Sequence, residues 1–108
     1  MTAWLYLLAA ILLEVAGTIS MKLSEGFTKL LPSVLLFVFY ALSFVSLTFT
    51  LKRLDVSVTY AVWSGVGTAL IALIGIYYFK EPLTALKIIS IVLIILGVIG
   101  LNLGAKQH

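Results

Sequence analysis

Cysteine is absent, and histidine occurs once, at the final position, His108. Without thiols neither a disulfide framework nor a thiolate metal site is possible. A lone histidine closing a polar tail reads as a solvated terminus, not a ligand. Charge is scarce as well: there are four acidic and seven basic side chains, together 10% of 108 residues. Ordinary soluble domains carry about 25% charged and about 45–50% apolar residues. Here 63% are hydrophobic and the mean hydropathy is +1.25, which places the chain in a membrane. No nucleophile–base pair, metal-ligating cluster or phosphate-binding loop occurs, so the expectation is no enzyme, no metal, no cofactor and no nucleic-acid partner. The first apolar run has no Lys or Arg before it and is too long for a secretory signal.

Apolar length is what the chain does have. Thr2 to Met21 carries only Glu14, and Leu30 to Leu51 carries no charge. Val56 to Phe79 is also uncharged, and Leu83 to Ala105 contains only Lys87, near its start. Each matches the roughly 20 residues that a helix needs to cross about 30 Å of hydrocarbon. The reading is an all-α integral membrane protein: one domain over residues 1–108, with spans at roughly 2–21, 30–51, 56–79 and 83–105. The linkers "KLSEGFTK", "KRLDVS" and "KEP" are too short to fold outside the bilayer. Four helices enclose little interior, so an oligomer is expected on size alone.

The loop charges are nearly balanced. With the N-terminus inside, Lys52, Arg53 and Lys106 lie on the inner face and Lys22, Lys29, Lys80 and Lys87 on the outer. Orientation follows the Lys/Arg difference between short loops; a difference of one leaves either a single orientation set by other features or insertion both ways, which would permit an antiparallel dimer. The last span offers a contact for such a dimer. Gly97, Gly100 and Gly104 share one helical face, which Ser90 continues, and small residues let membrane helices approach closely. Packing within one chain would use the same face.

Glu14 lies about twelve residues from one end of its run and about eight from the other, near the hydrocarbon midplane. An ionisable group there costs roughly 2.5–3.5 kcal/mol on insertion scales and marks a functional site by default. No Lys or Arg stands at its depth in any span, so an ion pair cannot explain it. Its helical neighbours Ala10, Gly17 and Thr18 are small and leave room for a ligand, and Thr18 can donate a hydrogen bond. The alternative is a permanently protonated Glu14 bonded to another helix. Low dielectric disfavours the charged form of a carboxyl, which suits a group that holds a proton until a cation displaces it.

The third span places Tyr60, Trp63 and Gly67 on one face. Aromatic rings attract cations through their negative faces, Trp most strongly; an interfacial belt is the competing explanation for Tyr60. Tyr40 and Ser43 sit mid-span in the second run, able to hydrogen-bond into a cavity or to hold helices together. Gly65 and Gly67 invite a bend, since glycine costs roughly 1 kcal/mol against alanine within a helix. Close helix packing would use them equally well.

Taken together, "LLEVAGTISMKLSEGFT", "YAVWSGVG" and "LGVIGLNL" resemble the small multidrug resistance family of bacterial exporters over the whole chain. That resemblance implies an antiparallel homodimer in the bacterial cell membrane, exchanging protons for cationic substrates by alternating access. It makes Glu14 the shared proton and substrate site, and Trp63, Tyr60 and Tyr40 pocket aromatics. Ala10, Gly17, Thr18 and Ser43 become lining or hydrogen-bond partners, Gly65 and Gly67 a bend, and Gly97 part of the dimer contact.

The family has a branch exporting bulky aromatic and quaternary ammonium cations and another exporting guanidinium. Guanidinium exporters usually carry Trp three residues after the carboxylate, where this chain has Gly17; "EVAGT" thus resembles the multidrug branch. "FKEPLTALK" resembles the guanidinium branch but lies in a linker. Gly17 is expected to enlarge the cavity beside Glu14 and so to favour bulky substrates. The expected function is proton-coupled export of hydrophobic cations, with guanidinium export as the alternative. A non-transporting interaction or pore protein is a weaker alternative, since a pore calls for a polar stripe along several helices.

Overall fold

The computed structural model describes residues 2–105; the expectations for Lys106 and His108 lie outside the described residues. Four helices account for nearly all of it: α1 (Thr2–Leu23), α2 (Leu30–Thr50), α3 (Val56–Tyr77) and α4 (Ala85–Ala105). All four are long and apolar enough to cross a membrane, and the described residues contain no strand. The chain divides into two compact units, one ending at Leu54 and one beginning at Asp55, each a pair of helices joined by a short turn.

In the first unit, Ser24 makes the turn. Its hydroxyl donates to the Met21 carbonyl at 2.7 Å and accepts from the Phe27 amide at 3.2 Å, closing the end of α1. Residues 25–27 then pass through left-handed backbone, with φ of 48°, 72° and 68°. Gly26 takes the middle position, where a side chain would be disfavoured. The turn sends α2 back along α1, with the register held by side-chain hydroxyls bonded to backbone carbonyls. Ser43 donates to the Ala10 carbonyl at 2.7 Å and Ser46 to that of Tyr6 at 2.6 Å. With no water at this depth, such bonds and close small-residue contacts replace the hydrophobic effect as the force between helices. Leu7, Ala10, Ile11, Val15 and Leu36 form the buried apolar seam.

The second unit turns through residues 78–84. The Tyr78 amide donates to the Ile74 carbonyl at 2.7 Å, and the Glu81 amide returns to that of Gly75 at 2.9 Å. Thr84 then caps α4, its hydroxyl accepting from the Lys87 amide at 3.1 Å. The span expected at 56–79 therefore ends as helix at Tyr77, and the one expected from 83 becomes helical at Ala85. Gly65 lets the helices meet: a Cβ there would stand 2.5 Å from Val98 Cγ2. Among its described side chains α4 buries none, although Val98 fills the space at Gly65.

Candidate functional site

Helical spacing sets Glu14 and Thr18 one turn apart on α1, and the Thr18 hydroxyl donates to Glu14 Oε1 at 2.9 Å. The same Thr18 oxygen lies 2.7 Å from the Tyr40 hydroxyl on α2. A threonine hydroxyl has one hydrogen. With that hydrogen on Glu14, Tyr40 must donate to Thr18, so the order is Tyr40 to Thr18 to Glu14. The carboxyl is half-buried and forms no ion pair with any described residue. An acceptor at the end of a donor chain, in apolar surroundings, can bind either a proton or an organic cation.

Gly17 holds Tyr40 in place. A Cβ at position 17 would meet Tyr40 Cδ1 and Cε1 at 3.2 Å, tighter than ordinary van der Waals contact. The space that the missing side chain was expected to leave empty is occupied by the Tyr40 ring. Gly17 therefore acts here by admitting an aromatic wall beside Glu14. Ala10 is fully buried beneath α2, and Ser43 is fully buried with its hydrogen on the Ala10 carbonyl. Both sit in the helix seam, and Ser43 takes the helix-binding role of its two sequence readings.

The remaining expected site residues belong to the second unit. Tyr60 and Trp63 meet edge to face, with centroids 5.5 Å apart and planes at 76°. Tyr60 is 62% exposed. Trp63 Nε1 is buried with no hydrogen-bond partner among the described residues. The α3 helix runs through Gly65 and Gly67 without interruption, and Gly65 is filled by Val98, the packing reading of that position. On α4, Ser90 is exposed, and a Cβ added at Gly97, Gly100 or Gly104 would meet nothing within 4 Å. The face expected to make a dimer contact is thus open in the single chain.

Within "FKEPLTALK", Glu81 folds its carboxylate against Gly75, where any Cβ would collide with it, and lies 3.9 Å from Lys87. That segment holds the α3–α4 turn together.

What the residue spacing did not disclose is the link between Thr18 and Tyr40. Both were candidates, but as separate pocket residues; their contact depends on the α1–α2 register. The only advance signal was the pair of serines along α2, Ser43 and Ser46, whose hydroxyls fix that register once it is paired with α1.

Residues 2–94 match the family described as Small Multidrug Resistance protein. The chain is 60% identical over 100 residues to the uncharacterized membrane protein YvaE of Bacillus subtilis, covering 93% of this chain and 84% of that one. It is 40% identical over 105 residues to the quaternary ammonium compound-resistance protein QacC of Staphylococcus aureus, covering 97% and 98%. It is 44% identical over 102 residues to the multidrug resistance protein EbrA of Bacillus atrophaeus, covering 94% and 97%.

Proposed function

The chain belongs to the small multidrug resistance family of multi-pass bacterial membrane transporters, and from that premise we infer that it exports hydrophobic and quaternary ammonium cations in exchange for protons. The observation that carries this reading is Glu14, the one acid within any span, standing at the end of the Tyr40–Thr18 hydrogen-bond chain. With no basic partner, its charge must be balanced by a bound proton or by a bound cation. Loading one expels the other, and that competition couples the two flows.

The donor chain adds a second element to the mechanism. With Glu14 ionised, Tyr40 and Thr18 both donate towards it. A protonated Glu14 can instead donate to Thr18, and Thr18 to Tyr40. The hydroxyls thus satisfy both loading states without rearrangement of the helices. Tyr40 also packs its ring against Gly17, and within the second unit Tyr60 and Trp63 form an edge-to-face aromatic pair of the kind that attracts cations.

One feature favours bulky cations over guanidinium: relatives at 40–44% identity are named for quaternary ammonium and multidrug resistance. For the assembly, the open glycine face of α4 and the near-even loop charges support an antiparallel homodimer that alternates access.

The test is proton release when tetraphenylphosphonium is added to detergent-solubilised protein. Wild type should release protons, and Glu14→Gln should release none and bind no cation. Normal release from the Gln variant would place the exchange elsewhere.

A further inference from the structure

At the opposite end of the first unit from its turn, the start of α1 and the end of α2 enclose a cleft of about 530 Å³. That is within the roughly 300–1,000 Å³ of ordinary ligand sites. Its lining includes Thr2, Trp4, Tyr6, Phe49, Lys52 and Arg53, and no acidic side chain. One wall is fixed: Tyr6 and Phe49 stack with centroids 5.4 Å apart, and Ser46 ties the Tyr6 carbonyl to α2. Lys52 Nζ sits 5.9 Å from the Phe49 ring centre, so its charge is held over the cleft wall.

The charge of this cleft is uncompensated. Lys52 and Arg53 form no ion pair with any described residue, whereas Lys29 and Lys87 are paired with Glu25 and Glu81. Their amides already donate to the Phe49 and Thr50 carbonyls, so it is the side chains that remain available to an anion. Two adjacent cations repel a cationic substrate, which separates this cleft chemically from the Glu14 site. Its depth is also informative. Both helices end here, and Trp and Tyr concentrate where a membrane helix meets the headgroups.

We propose that this cleft seats the headgroup phosphate of an anionic phospholipid, with Lys52 and Arg53 on the phosphate oxygens and the Tyr6–Phe49 stack against the glycerol and upper acyl chain. Basic residues beside a membrane helix are the usual receptors for such headgroups. Arginine adds a planar fork matched to two phosphate oxygens. An inorganic phosphate would satisfy the cations but leave the aromatic wall uncovered, which is why the lipid is the better occupant.

Native mass spectrometry of the purified full chain, titrated with phosphatidylglycerol or phosphatidylcholine in detergent, reads occupancy directly. Phosphatidylglycerol should bind on the order of tenfold more tightly than phosphatidylcholine, and Lys52→Gln with Arg53→Gln should remove that preference. Thr2→Trp, which fills the cleft without altering charge, should weaken phosphatidylglycerol binding as well. The charge-matched pair Lys29→Gln with Lys87→Gln should leave it within about twofold. Each variant is first checked for tetraphenylphosphonium binding. Equal losses in both charge-removed pairs would reduce the effect to net charge and overturn the site. Unchanged binding in Thr2→Trp would remove the cleft from the interaction. Displacement of the lipid by millimolar inorganic phosphate would make the occupant a soluble anion and overturn the lipid assignment.

Discussion

Thr18 separates two hydroxyl functions that a single substitution can test. Thr18→Ser keeps the donor to Glu14 and the acceptor for Tyr40, and should bind tetraphenylphosphonium within a few-fold of wild type. Thr18→Val removes both, and should weaken binding while altering its pH dependence. Tyr40→Phe removes the other end of the same chain. Groups within one hydrogen-bond network couple by about 0.5–3 kcal/mol, so losses in the double variant should fall short of the sum. Isothermal titration of the four proteins in one detergent measures that coupling; strict additivity would mean that Tyr40 and Glu14 do not communicate through Thr18. On the proposed exchange, cation affinity should also fall as pH drops, because a proton and a cation would compete for Glu14. Glu14 itself was legible in the sequence, since a lone acid in hydrocarbon demands a reason. The seating of Tyr40 on Gly17 was not. Spacing along one helix says which residues share a face but not which ring from another helix covers it. The selectivity test changes with that geometry. Gly17→Trp must displace the Tyr40 ring, and bulky planar cations should lose more affinity than compact quaternary ammoniums. Trp63→Phe should act in the same direction if the indole faces the cation.

At the level of the helices, hydropathy found all four because bilayer thickness fixes the length of an apolar run. Their ends were less legible, since they depend on local bonds: Ser24 extends α1 to Leu23, and Thr84 delays the start of α4 until Ala85. The glycines show the same limit. Gly65 and Gly97 look alike in sequence, yet one is filled by Val98 and the other faces open space. They should respond oppositely to a larger side chain. Gly65→Ala should destabilise the α3–α4 pair by about 1–3 kcal/mol through overpacking, with recovery on adding Val98→Ala. Gly97→Leu should leave helix content and thermal unfolding of the single chain nearly unchanged. If α4 joins two copies, the same substitution should raise the dimer dissociation constant at least tenfold, as read by crosslinking or energy transfer between labelled chains. Tight dimers from Gly97→Leu would move the subunit contact off this face.

For the whole molecule, loop charges that differ by only one between the two faces make orientation open to adjustment. Two lysines added to the tail should bias the chain towards a cytoplasmic C-terminus. That variant should lose resistance to quaternary ammonium compounds alone and regain it when coexpressed with an oppositely biased chain. Full activity from a demonstrably one-way population would count against the antiparallel dimer. The proposed exchange has a proton and a cation alternate on Glu14, with the gradient of one driving the other. Proteoliposomes loaded with buffer more acidic than the outside solution, and then given labelled tetraphenylphosphonium, test it most directly, with transmembrane voltage clamped by a potassium ionophore. Wild-type protein should accumulate the label above its external concentration until the pH difference collapses, and Glu14→Gln should accumulate none. Equilibration of the label to equal concentrations, at a rate indifferent to the pH difference, would contradict it and identify the protein as a passive pore.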